Sequence, residues 1–362
     1  MHSEKFEIGL GNNDSSLRDS AKKDYISFWN ECAQSLSWFE SWSETLQWNP
    51  PFARWFVGGK INAAYNTLDI HQKSKSDKIA IFWEGEDGTG RKLTYKKMFE
   101  QVNKLANVLK SLGIRKGDRV TIYLPMIPEL PISMLACARI GAIHTVVFSG
   151  FSAKSLSDRV EDSQSKIIIT ADGGYRKGKI INLKEIVDES ASSIQFVKNV
   201  IVYQRTGQKI QVNEKDLMWS DVMIDSSDVC ESEKLDSNDA LYILYTSGTT
   251  GKPKGVLHGI GGYLTHLYST YKWAFDIKDN DVYFCTADIG WVTGHSYVVY
   301  GPLLHGATQV MYEGAPDYPD SSRMWNIIQK YGVTIFYTTP TALRMLMKFG
   351  DDIPNSFNLS TL

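Results

Sequence analysis

The chain has 362 residues, 43% hydrophobic and 22% charged, the profile of a globular protein large enough for two domains or more. Its 39 basic and 41 acidic residues leave a formal net charge of −2, which gives no reason to expect nucleic acid or an anionic membrane as partner. The cysteines, Cys32, Cys137, Cys230 and Cys285, stand far apart with no C-x-x-C pair, the N-terminus lacks a basic-then-apolar leader, and no apolar stretch is long enough to cross a bilayer. The expectation is a cytoplasmic protein with reduced thiols, and composition says nothing of its oligomeric state.

Residues 1–23 are polar and read as a flexible N-terminus. Residues 24–77 are rich in aromatics, with Trp29, Trp38, Trp42, Trp48 and Trp55, and read as an N-terminal cap. So much aromatic surface has to be buried against a larger body, and a tryptophan-lined ligand groove is the alternative. From residue 78 strands and helices alternate. "KIAIFWEG" predicts a strand and "EDGTG" a turn. Thr94 reads as the N-cap of a helix whose apolar face is Met98, Val102, Leu105, Leu109 and Leu112, with Gly113 as its stop. "DRVTIYLP" predicts a strand, 129–140 a helix, "AIHTVVF" a strand, 152–163 a helix, and "KIIITA" and "NVIVY" further strands. The alternation argues for an α/β fold with a mostly parallel, doubly wound sheet.

A polar break near 204–238 precedes "ALYILY", a buried strand that runs straight into "TSGTTGKPKG". Gly248, Gly251 and Gly255 allow successive N–H groups to face one concavity. Thr246, Ser247, Thr249 and Thr250 add rotatable hydroxyl donors, and Lys252 and Lys254 add point charges suited to a polyphosphate. A surface hairpin is the plainer alternative. The spacing excludes a Walker loop, which needs four residues between its first glycine and its Gly-Lys pair and then a helix; Pro253 sits where that helix would begin. Beyond it, 263–275 predicts a helix, "DVYFC" a strand, "GATQVMYEG" a strand, "MWNIIQKYG" a helix, "VTIFYTTP" a strand and "TALRMLMKFG" a helix. His258 and His266 read as ordinary loop and helix residues, and no histidine spacing points to a metal site.

"LYTSGTTGKPKGVLH" resembles the phosphate-binding signature of the adenylate-forming enzymes, which include the acyl-CoA synthetases. The segments 55–66, 126–152, 286–319 and 336–347 resemble the AMP-forming acetyl-CoA synthetases, and this likeness runs from about residue 38 onward. It implies the stacked, mostly parallel sheets of that family's large domain over 78–362, capped by the aromatic N-terminal region. It also implies ATP, with Mg2+ on its phosphates, acetate and coenzyme A as small-molecule partners. A carboxylate oxygen of the acid would attack the α-phosphorus and pyrophosphate would leave. The protein's part is then positioning and charge neutralisation.

By the same resemblance, the residues from Thr246 to Lys254 hold ATP phosphates. Trp291, Val292 and Thr293 line the acyl pocket, with Thr293 also beside the pantetheine. Arg176, Lys177, Gly178, Lys179 and Asp317 sit near the 3′-phosphate of coenzyme A. Lys179 stands where relatives often have a second arginine, and Asp317 where they often have asparagine. Taken alone, "YRKGK" is a solvated turn. The family's adenine-binding stretch and its lysine-bearing mobile C-terminal domain are not found, so the chain reads as an incomplete, N-terminal portion. No secure catalytic residue is then present, with Lys254 in a supporting role, and the portion is expected to be inactive alone. A propionate or other short-chain ligase, and a non-catalytic nucleotide-binding fragment, are the rival readings.

Overall fold

The computed structural model describes residues 15–192, 194–246 and 253–362. Two α/β sheets dominate it. The larger runs in the order Asp216–Met218, Asn199–Tyr203, Ile167–Ala171, Arg119–Tyr123, Ile143–Val146, Ala240–Thr246 and Lys254–Gly259. All its pairs are parallel except the last. The smaller runs Ile335–Tyr337, Val282–Cys285, Thr308–Glu313, Ile79–Gly85 and Gly90–Thr94, again parallel but for the final pair. Central strands such as Ile167–Ala171 are buried along their whole length. Parallel strands covered by helices on both faces require such continuous apolar runs.

The helix signals act as read. Thr94 accepts a hydrogen bond from the Lys97 amide at 3.1 Å and opens Tyr95–Ser111. Met98, Val102, Leu105 and Leu109 are buried on its inner face, and Gly113 turns away at φ +85°. Ser152 caps Ala153–Ser163.

Two features depart from the sequence reading, and a third refines it. The aromatic region folds partly as an antiparallel hairpin, Glu44–Asn49 against Phe52–Val57. Phe56 is buried there among Trp38 and Trp42, and Phe28 and Trp29 lie against Trp273. Trp48 and Phe52, by contrast, are 61% and 73% exposed, so burial of the aromatics is incomplete. The polar stretch near 204–238 contributes the edge strand Asp216–Met218 to the larger sheet. Its Leu235–Asp236 pairs with Lys60–Ile61 of the aromatic region. Finally, "YRKGK" forms the turn of a small hairpin, Gly174–Arg176 with Lys179–Ile181, that pairs with neither sheet. Lys177 and Gly178 occupy left-handed angles at its tip, φ +51° and +72°.

Candidate functional site

A crevice of about 880 Å3 lies between the two sheets. Its walls come from the segments just beyond the carboxyl ends of parallel strands: Met126, Phe148, Gly174, Thr246, Thr286, Glu313 and Thr338 each follow or end one. Open α/β sheets bind ligands at this place, because neighbouring crossovers diverge there and leave a gap lined by loops.

The site residues named from sequence fall into three groups. Thr246, Arg176, Trp291, Val292 and Thr293 line the crevice together, although Arg176, Thr246 and the 291–293 segment stand far apart in sequence. Trp291 and Val292 stand at its mouth, about half exposed. Lys254 is exposed at the start of the edge strand and is the direct partner of Thr246, so both ends of the glycine-rich signature meet beside the crevice. Ser247, Gly248, Thr249, Thr250, Gly251 and Lys252 lie outside the described residues. Lys177 and Gly178 form the exposed tip of the hairpin and Lys179 is exposed opposite Arg176 on its second strand; none of the three lines the crevice. Lys177 pairs with Asp317 at 3.2 Å, which ties the loop after Thr308–Glu313 to the hairpin tip. The strand following the signature, where a Walker loop would require a helix, agrees with the spacing argument.

Sequence reasoning passed over two carboxylates in the lining. Asp288 follows the strand Val282–Cys285 and accepts the Gly290 amide at 2.7 Å. It lines the crevice, and burial pushes its pKa up to about 6 although the Gly290 amide and then Arg176 oppose the shift. Glu313 ends the strand Thr308–Glu313 and is 2% exposed. Burial raises it to about 7 against the pull of Arg205, which bonds it at 2.7 Å. Each precedes a glycine within two residues at the end of an apolar strand, the only signal that could have marked them.

His258 is a strand residue and not a loop residue as read. It stacks on Tyr242 with ring centroids 4.3 Å apart and lines the crevice. Behind it His295, Tyr242, His144 and Tyr300 form a continuous aromatic column. The His295 ring donates to the Trp291 carbonyl at 3.2 Å, tying the column to the loop that carries Trp291, Val292 and Thr293. Burial drives His295 down to about 4 and His144 well below its ordinary value, so both are neutral.

A crevice at the strand ends, with a glycine-rich signature at its edge, is the ligand-binding arrangement of an open α/β fold. The family model described as AMP-binding enzyme matches residues 68–361, and the chain belongs to that family. Residues 15–67 match the model described as Acetyl-coenzyme A synthetase N-terminus. An acetyl-coenzyme A synthetase from Rubrobacter xylanophilus is 54% identical over 362 residues, covering 99% of this chain and 56% of that protein. One from Methanothrix thermoacetophila is 53% identical over 350 residues, covering 96% of this chain and 53% of that protein. Acetoacetyl-CoA synthetase from Streptomyces lividans superposes with a TM-score of 0.90 at 27% identity, covering 97% of this chain and 54% of that structure. The chain thus spans about half the length of the curated relatives it matches. Among the described residues no helix is long and apolar enough to cross a membrane, and the four cysteines are free thiols.

Proposed function

We propose that the chain forms the phosphate, acyl and coenzyme A face of an AMP-forming acetate–CoA ligase acting in the cytoplasm. ATP and acetate would give acetyl-adenylate and pyrophosphate, and coenzyme A would then displace AMP. One observation carries the reading: a single crevice joins the ends of the glycine-rich signature, the Trp291–Val292–Thr293 loop and Arg176. Thr246 and Lys254 would hold phosphate oxygens at one end. Trp291, Val292 and Thr293 would enclose the short acyl group, and Arg176 would face the 3′-phosphate of coenzyme A, helped by Lys179.

Among the described residues no three His, Cys, Asp or Glu side chains converge as a metal site. Magnesium is assigned to the substrate by the family likeness, and would arrive on the nucleotide's phosphates and shield their charge. The chain's own work is orientation and exclusion of water around the reacting carboxylate.

The test is acetate-, ATP- and coenzyme A-dependent AMP production by residues 1–362, with and without the separately expressed C-terminal half of a close relative. Turnover is expected only in the mixture. Robust turnover by the chain alone would overturn the assignment of its residues to one face of the site. In the mixture Thr293→Val is expected to weaken the preference for acetate over propionate by about 1 kcal/mol, a methylene's worth. An unchanged ratio of kcat/KM values would remove Thr293 from the acyl pocket.

A further inference from the structure

The hairpin that carries Arg176 pairs with neither main sheet, so something else must fix it over the crevice. Its attachments come from the smaller sheet, although the hairpin belongs in sequence to the larger one. Glu313 Oε1 accepts the Tyr175 amide at 3.2 Å. Glu86, 5% exposed and just beyond Ile79–Gly85, accepts the Gly178 amide at 2.8 Å through Oε1 and the Ala315 amide at 2.7 Å through Oε2. The residues bonded to Glu313 and Glu86 therefore bracket Arg176 on both sides.

A second tier holds the first. The Arg205 guanidinium lies over the Tyr175 ring at 4.7 Å and over Trp83 at 4.9 Å. It bonds Glu313 Oε2 through Nε at 2.8 Å and Asp87 through both terminal nitrogens, at 3.2 and 3.1 Å. Arg205 leaves the larger sheet after Asn199–Tyr203, whereas Glu313 and Asp87 leave the smaller one, so the cluster is a charged staple between the sheets. A Cβ at Gly178 would meet the Tyr318 ring, so the tip lies close against the loop beyond Glu313.

We infer that Glu313 and Glu86 are positioning residues that hold the Tyr175–Gly178 turn so that Arg176 is set over the crevice before any ligand arrives. The inference rests on the reading of Arg176 as a ligand for the coenzyme A 3′-phosphate. Carboxylates suit the task because each offers two acceptor oxygens, so one side chain can join two backbone segments. Preset geometry matters most for arginine, whose planar fork binds phosphate well only from a fixed direction.

Two measurements on the 362-residue chain separate the mount from the ligand. The first is hydrogen exchange at the Tyr175, Gly178 and Ala315 amides. The second is titration with coenzyme A and with dephospho-coenzyme A. Glu313→Ala is expected to speed exchange at Tyr175 by about tenfold and to weaken coenzyme A by about tenfold, with dephospho-coenzyme A changed less than about twofold. Glu313→Gln retains a carbonyl acceptor for Tyr175 and should restore most of both effects. Glu86→Gln keeps the volume but accepts at only one site, so either Gly178 or Ala315 loses protection; this variant serves if Glu313→Ala does not fold. Unchanged exchange at Tyr175 in Glu313→Ala, or at both Gly178 and Ala315 in Glu86→Gln, would overturn the mount. Equal weakening of the two ligands in Glu313→Ala would do the same, because it marks a general loss of structure. Should the unaltered chain bind both ligands equally, the reading of Arg176 fails, and the exchange data still decide whether the carboxylates hold the hairpin.

Discussion

Two buried polar regions flank the crevice, and they solve the same problem in opposite ways. On the hairpin side, Glu313 and Asp87 are both satisfied by the Arg205 guanidinium at 2.7–3.2 Å. On the far side, His295, His144, Tyr242 and Tyr300 are packed as rings, and Tyr271 and His305 stack in a second cluster of buried rings. There the histidines shed their protons, and the ring atoms His144 Nδ1 and His295 Nε2 have no hydrogen-bond partner among the described residues. A buried charge is tolerable only beside its counter-charge, whereas a buried imidazole can become neutral and behave as an aromatic filler. The first region therefore depends on specific partners, the second on shape and on pH.

The largest effect should come from breaking a charge partnership. Arg205→Ala strands Glu313 in a buried site and should lower stability by about 3–5 kcal/mol in chemical denaturation at pH 8. The loss should shrink at pH 6, because Glu313 without Arg205 holds a proton more readily. An equal loss at both pH values would show that Arg205 matters for packing alone.

Acid should weaken the histidine side next. His71, His295 and His305 are each held at about 4 by burial, against 6.5 when exposed. The unfolded chain takes up protons between those values that the folded chain refuses, so stability falls as pH drops from 6.5 toward 4. Glu313, raised from 4.5 to about 7, and Asp288, raised from 3.8 to about 6, work the other way. Their contribution is full below their unfolded values and is lost as pH rises through the folded ones. The more numerous histidines should dominate, with a net loss of about 3 kcal/mol over that window. Stability that rises on acidification would place the carboxylates in control.

The smallest effect should be at Tyr271. Its hydroxyl is buried without a hydrogen-bond partner among the described residues, while its ring packs on Phe275, Tyr283 and His305. Tyr271→Phe should be neutral or stabilise by up to about 1 kcal/mol, since it removes only an unsatisfied group. A clear destabilisation in the melting curve would mean that this ring cluster is held by bonds like the hairpin side.

Local signals carried much of the fold because they act within one or two turns of chain. Thr94 caps because its side chain reaches an amide three residues on, and "KIIITA" is a strand because only a doubly covered position accepts such a run. The hairpin Glu44–Asn49 with Phe52–Val57 was missed because its burial follows no period of two, with exposed aromatics near its turn. Thr246, Arg176, Trp291, Val292 and Thr293 were named from motif and resemblance. That they share one crevice depends on where the strands end.

The sequence by itself determined the α/β alternation, the buried strand that runs into the glycine-rich signature, and the family to which the chain belongs, because each resides in contiguous residues with a local physical cause. Only the tertiary structure decided which carboxylates matter. Glu86 and Glu313 lie far apart along the chain, each in an ordinary polar position at a strand end. They come to face one hairpin because parallel strands send their carboxyl ends to the same side of the molecule, and burial there, which no local pattern encodes, gives both carboxylates their partners and Glu313 its raised pKa.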